Sequence, residues 1–165
     1  MRSLIAIVVF GWTAGPAAAQ DFGEWMLDEG RAALEGTPTR TALLATEDVS
    51  GVGRYGVVVL RCGEEEDLEV FMDWDMLVHR EPNVRVRIGD GEVGPRATWS
   101  PSQSRESAFA PASLSHDIAA ELLTGGEVAA EVRTSTGRSS TAVRQATDGR
   151  SQEAADHLGC VSLPQ

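Results

Sequence analysis

Val57, Val58, Val59 and Leu60 form an unbroken β-branched and apolar run, the pattern of a strand covered on both faces. The run ends at Arg61 and Cys62, and Gly63, Glu64, Glu65, Glu66 and Asp67 follow as a charged turn. Then Leu68, Val70, Met72 and Trp74 alternate with Glu69, Phe71, Asp73 and Asp75, the period of two that marks a half-buried strand. A short turn between two such runs predicts a hairpin. After Pro82 and Asn83 the alternation returns, with Val84, Val86 and Ile88 on one face and Arg85 and Arg87 on the other. If this strand lies beside 68–74, its arginines stand across from Glu69 and Asp73, where opposite charges contribute a few tenths of a kcal/mol per pair. A turn at Gly89, Asp90 and Gly91 leads to 93–99, where Pro95 predicts an edge position, and 108–110 adds one short strand. Upstream, Gly30, Gly36 and Pro38 break residues 25–49 into two short strands, of which 39–46 is the more strand-like.

The period then changes. Leu114, Ile118 and Leu122, with Ala119 and Leu123 beside them, recur at helical spacing, with Ser113 as the predicted N-cap and Gly125 and Gly126 as the stop. Val128, Ala130 and Val132 alternate with Glu131 and Arg133, and a turn at 135–138 returns the chain through 139–146, a second hairpin. Asp148 is the predicted cap of a last short helix in which Ala154, Leu158 and Val161 share a face and Gly159 sits near the end. The predicted class is mainly β within α+β: an antiparallel sandwich or curled sheet with two short helices packed on it.

The start of the chain belongs to no such pattern. Arg2, the apolar stretch 4–12 and the small residues Ala17, Ala18 and Ala19 have the order of a secretory signal. The stretch falls well short of the roughly 20 apolar residues a membrane span needs, and no cysteine near the cleavage site invites a lipid. The expectation is therefore a signal peptide over 1–19, cleaved before Gln20, and a single domain over 20–165 without a stable membrane anchor. The expected location is periplasmic or secreted. Of the 165 residues, 42% are apolar, enough for one compact core. The 14 basic residues, all arginine, face 25 acidic ones for a net charge of −11. Cleavage removes Arg2 alone among the charges and leaves 13 arginines against the same 25 acids, a charge of −12. Such a chain repels polyanions, so nucleic acid is excluded as a direct partner.

Both cysteines, Cys62 and Cys160, lie beyond the signal, and an even count in an exported chain predicts a disulfide between them. Two cysteines and three scattered histidines, His79, His116 and His157, make no metal motif. No Gly-x-Ser-x-Gly elbow is present, and without lysine a Ser-x-x-Lys pair is impossible. No metal, organic cofactor or catalytic residue is expected. The run Glu64 to Asp67 reads as a solvated turn, since four consecutive acids point in different directions whereas calcium loops space their ligands. Trp74 and Trp99 carry two readings, core packing and a partner anchor near a sheet edge.

Several landmarks come in a recognisable order: the apolar strand ending in Arg61 and Cys62, the acidic turn, 70–74, the strand 84–90 with Arg87 and Asp90, Trp99, the helix 114–123, and a terminal helix reaching Cys160. In this order the chain resembles the type VI secretion-associated family called VasI or TagO, exported bacterial proteins of mainly β structure. It departs from the family's Phe-Asp-x-x-Gly run before the last helix, having Ala146, Thr147, Asp148 and Gly149 there. The resemblance implies an accessory role beside a secretion system. The leading expectation is a non-enzymatic binding protein whose partner is a cell-envelope or secretion-system protein, with Arg85, Arg87, Asp90 and Trp99 as candidate contacts. Two alternatives stand beside it: an envelope hydrolase using scattered acids such as Asp73, Asp75 and Asp90, and a small-ligand sensor with a pocket under the helix 114–123.

Overall fold

Two antiparallel sheets and two helices share one hydrophobic core in the computed structural model, which describes residues 24–31, 38–48, 56–63, 67–74, 77–133, 137–144 and 150–161. In chain order the strands are β1 (Met26–Arg31), β2 (Pro38–Ala45), β3 (Glu47–Asp48), β4 (Val57–Cys62), β5 (Leu68–Asp73), β6 (Asn83–Ile88), β7 (Ala97–Thr98), β8 (Ser100–Pro101) and β9 (Ser107–Phe109). Helix α1 (Ala112–Leu123), β10 (Glu127–Arg133), β11 (Arg138–Arg144) and helix α2 (Ser151–Leu158) follow among the described residues. The first sheet runs β1-β2-β4-β5-β9-β8 and the second β3-β11-β10-β6-β7, where β3 and β7 are two-residue edges. Neither sheet closes into a barrel.

The central hairpin forms as its pattern requires. β4 pairs with β5 through Leu60↔Val70 and Arg61↔Glu69, and Val58, Leu60, Val70 and Met72 are buried on one face. Val59 is buried too, on the opposite face, which explains the unbroken apolar run in β4. The tip of the hairpin, 64–66, lies outside the described residues, as do the tip of the second hairpin, 134–136, Asp75 and Asp148. From the second sheet Val84, Val86, Val128, Ala130 and Val132 face the same core. Helix α1 packs on β5, β6 and β10 through Ile118, Ala119, Leu122 and Leu123, and α2 packs on β2 and β4 through Ala154, Ala155 and Leu158.

Three expectations change. β6 lies beside β10, not β5, because buried Val78 and Pro82 carry the chain after β5 across to the second sheet, where Trp99 N–H donates to Pro82 C=O at 2.8 Å. The arginines of β6 therefore meet Glu131 and Glu127 in place of Glu69 and Asp73. Ser113 is not the cap of α1. Pro111, with φ −56° and ψ 144°, precedes the first turn, and its carbonyl accepts from the N–H groups of Leu114 and Ser115. Its fixed φ and missing N–H suit a helix entrance without a side-chain cap. Pro95 belongs to no strand; the edge strand β7 starts at Ala97.

The disulfide joins Cys62 and Cys160 with a Cα–Cα distance of 5.9 Å, inside the usual range. Helix α2 ends at Gly159 with φ 76°, a left-handed position that glycine adopts without a Cβ penalty, and the turn it makes brings Cys160 to the end of β4. A second glycine is set by close approach. Gly56 enters β4 so near β5 that a Cβ there would stand 2.0 Å from the Asp73 carbonyl oxygen. Its N–H donates to the buried Thr46 hydroxyl and its carbonyl accepts from Thr46 N–H, which ties the end of β2 to the start of β4.

Candidate functional site

The outward face of the second sheet carries arginines, and the β6–β10 register decides their partners. Arg85 is directly opposite Glu131, whereas Arg87 faces Ala129 and reaches diagonally to Glu127. Arg85 Nη2 lies 2.9 Å from Glu131 Oε2, and Arg96 Nη2, from the loop before β7, lies 2.5 Å from the other oxygen, Oε1. Arg87 donates through Nη2 to Glu127 at 2.5 Å and through Nη1 to Gly89 C=O at 2.6 Å, which clasps the turn holding Asp90. Arg133 shares the outward parity of Glu131 on β10 and is exposed. At that end His79, Glu81, Asn83, Arg96 and Arg133 surround a hollow of about 180 Å³. The face thus holds Arg85, Arg87, Arg96 and Arg133 against Glu127 and Glu131, with Glu81 at the hollow and Asp90 in the turn beside them, so that arginines and carboxylates are interspersed.

The side chains of Arg85, Arg87 and Arg96 stay 40%, 32% and 36% exposed, so each pair remains open to solvent and to an approaching surface. Glu131 sits deeper, and its carboxyl is held below the usual value of 4.5, first by the hydrogen bond from Arg85, against the opposing effect of burial, and then by Arg96. A depressed folded value means that Glu131 adds stability above the unfolded value and loses it as pH falls through the folded one. Glu131→Gln is expected to cost about 1 kcal/mol or less at neutral pH, with the difference from wild type vanishing in acid. Urea titrations of both proteins at neutral pH and at about pH 3 check this.

The four candidate contacts therefore separate. Arg85 and Arg87 face outward as their alternation requires, with Val84 and Val86 turned to the core. Asp90 is exposed in the turn after β6. Trp99 is 1% exposed and packs against Trp74 with ring centroids 6.3 Å apart, so its side chain offers nothing to a partner surface. Of the acids considered for hydrolysis, Asp73 lies on β5 and accepts from Ser107 Oγ at 3.0 Å, while Asp90 is in the turn after β6, a strand of the other sheet. Among the described residues no three His, Cys, Asp or Glu side chains gather as they would around a metal ion. The histidines are dispersed: His79 Nδ1 accepts from Glu81 N–H, His116 is exposed on α1, and His157 on α2 lies 3.1 Å from Asp28 C=O of β1.

A second feature escaped the sequence reading. On the outer face of the first sheet Arg61 Nε and Nη2 both engage Glu69 Oε2, at 2.8 and 2.5 Å. The guanidinium also lies over the rings of Phe71 and Phe109, 5.5 and 5.8 Å from their centroids, and the two rings are 4.9 Å apart. Beside this group a cleft of about 520 Å³ opens toward the start of α1, with Arg61, Glu69, Phe109, Ala112, Ser115 and His116 among its lining. The signal for it was Phe71, the one aromatic among the outward residues of β5. What periodicity left unspecified was its neighbour, since Phe109 comes from β9, 38 residues further along.

No helix among the described residues is long and apolar enough to cross a membrane. No family model matches the chain, and neither a curated protein nor a solved structure matches it.

Proposed function

We propose that this is an exported, disulfide-stapled binding protein of the cell envelope, acting without a catalytic centre of its own and contacting another envelope protein through the outer face of its second sheet. The observation that carries the reading is the gathering of Arg85, Arg87, Arg96 and Arg133 on one outward face, three of them partly exposed in ion pairs. Partly exposed ion-paired groups of this kind re-pair across an interface, in contacts that weaken with salt. Export is supported by the layout of residues 1–19 and by the Cys62–Cys160 bond, which fits an oxidising compartment. The order of landmarks shared with the type VI secretion-associated family supports a secretion apparatus as the setting.

The test is cross-linking in intact cells followed by mass spectrometry, comparing wild type with Arg85→Ser/Arg87→Ser. The expected result is a mature chain beginning at Gln20 outside the cytoplasm, with one envelope protein cross-linked to wild type and lost in the variant. The substitutions leave Glu127 and Glu131 partly exposed, so the fold survives with a loss of about 1 kcal/mol per pair or less. Equal cross-linking by both proteins, or hydrolysis of a cell-wall or peptide substrate by the purified domain, overturns the proposal.

A further inference from the structure

The cleft beside α1 contains an unfilled strand position. Gly63 N–H donates to Asp67 C=O at 2.9 Å, which marks 63 and 67 as a hydrogen-bonded pair of the β4–β5 hairpin. Antiparallel ladders alternate bonded and non-bonded pairs, so Arg61↔Glu69 is bonded and the pairs Cys62↔Leu68 and Leu60↔Val70 are not. Leu68 and Val70 consequently turn their main-chain groups away from β4, toward the side where β9 lies. β9 covers only Phe71, Met72 and Asp73. Ala110 N–H still reaches Val70 C=O at 2.8 Å, and then Pro111 diverts the chain into α1. Leu68, 6% exposed, is left past the end of its neighbour strand at the wall of the cleft, and the alternation of the ladder puts its N–H and C=O on the β9 side.

The walls suit an occupant with a polypeptide backbone. Val70, Phe109 and Ala110 give an apolar side, and Arg61, stacked on the two phenylalanines and bonded to Glu69 through Nε and Nη2, keeps Nη1 without a described acceptor. The volume of about 520 Å³ falls in the range of ligand-sized clefts. An extended segment laid in line with β9 would continue the sheet along β5, donate to and accept from Leu68, and place an acceptor side chain at Arg61. We infer that this cleft binds a short extended peptide segment of a partner protein by strand addition to the Leu68 end of β5. The inference deepens the binding role proposed above and adds a contact separate from the arginine face of the second sheet.

Random peptides displayed on phage are panned against the oxidised full chain, and selected peptides are measured by calorimetry and amide hydrogen exchange. Binding is expected to slow exchange of the Leu68 amide by about tenfold or more, and N-methylation of the peptide nitrogen facing Leu68 is expected to weaken affinity about tenfold. Ala112→Trp fills the mouth from an exposed position and is expected to abolish binding with an unchanged circular dichroism spectrum. Arg85→Ser/Arg87→Ser is expected to bind as wild type does. Unchanged Leu68 exchange in the complex, full affinity of the N-methylated peptide, full binding by Ala112→Trp, or failure of any peptide to bind saturably each overturns the inference. Loss of peptide binding in the arginine variant but not in Ala112→Trp overturns it while leaving the arginine face as the contact. Loss of the envelope cross-link alone, with peptide binding intact, separates the two the other way.

Discussion

Reduction of the Cys62–Cys160 bond is expected to cause one of the two largest losses of stability in this chain. The bond closes a sequence separation of 98, and in the chain-entropy model a loop of that size stabilises by about 4.7 kcal/mol. It does so chiefly by restricting the unfolded chain, and it also holds α2 against the β2–β4 part of the first sheet. Cys62→Ser/Cys160→Ser should therefore match reduced wild type in urea titrations and fall about 2–5 kcal/mol below oxidised wild type. The comparison separates the cross-link from the packing of the side chains, because reduction leaves both sulfurs in place. A double variant as stable as the oxidised protein would mean that the staple contributes nothing to folding.

Trp99→Ala should cost about 3–5 kcal/mol, since a fully buried tryptophan is replaced by a methyl group in a core the two sheets share. The loss arises from the ring alone; the Trp99 N–H to Pro82 C=O bond is made by the backbone and survives the substitution. Trp99→Phe provides the informative contrast. The indole Nε1 atoms of Trp25, Trp74 and Trp99 are buried and have no hydrogen-bond partner among the described residues, a desolvation cost that phenylalanine lacks. The phenylalanine variant is expected to recover most of the loss, keeping an aromatic contact with Trp74 while removing the unpaired donor. Thermal and urea unfolding of the three proteins measure both steps. A Trp99→Ala protein within about 1 kcal/mol of wild type would place the ring outside the core.

Elements whose shape depends on near neighbours were legible in the amino-acid order. The alternation of 68–74 and 128–132 reports which face of each strand meets the core, and both faces are as expected. The helical spacing of Ile118 and Leu122 identifies the buried face of α1, and Gly159 marks the end of α2. The cysteine pair followed from their number together with the leader-like start, without any geometry. The cap of α1 was missed because Ser113 has the usual capping chemistry, whereas Pro111 acts through its backbone angles and a carbonyl that accepts from Leu114 and Ser115 N–H.

Neighbour choice was another matter. Glu69 with Asp73 and Glu127 with Glu131 offer the same alternating acids to the arginines of β6, and strand period carries no information about which one lies alongside. Only the crossing of 77–82 between the sheets puts Arg85 opposite Glu131 and adds Arg96 from a distant loop. The same holds for the cleft: the divergence at Pro111 that leaves Leu68 beyond the end of β9 involves segments about 40 residues apart in the chain. By itself the sequence determined the staple, the β-rich class and the inward sets of 68–74, 84–86 and 128–132, because these rest on composition and on spacing within a few residues. The tertiary structure alone decided that Trp99 is core and that Arg61 stacks on paired rings, because each depends on long loops closing to bring particular strands side by side.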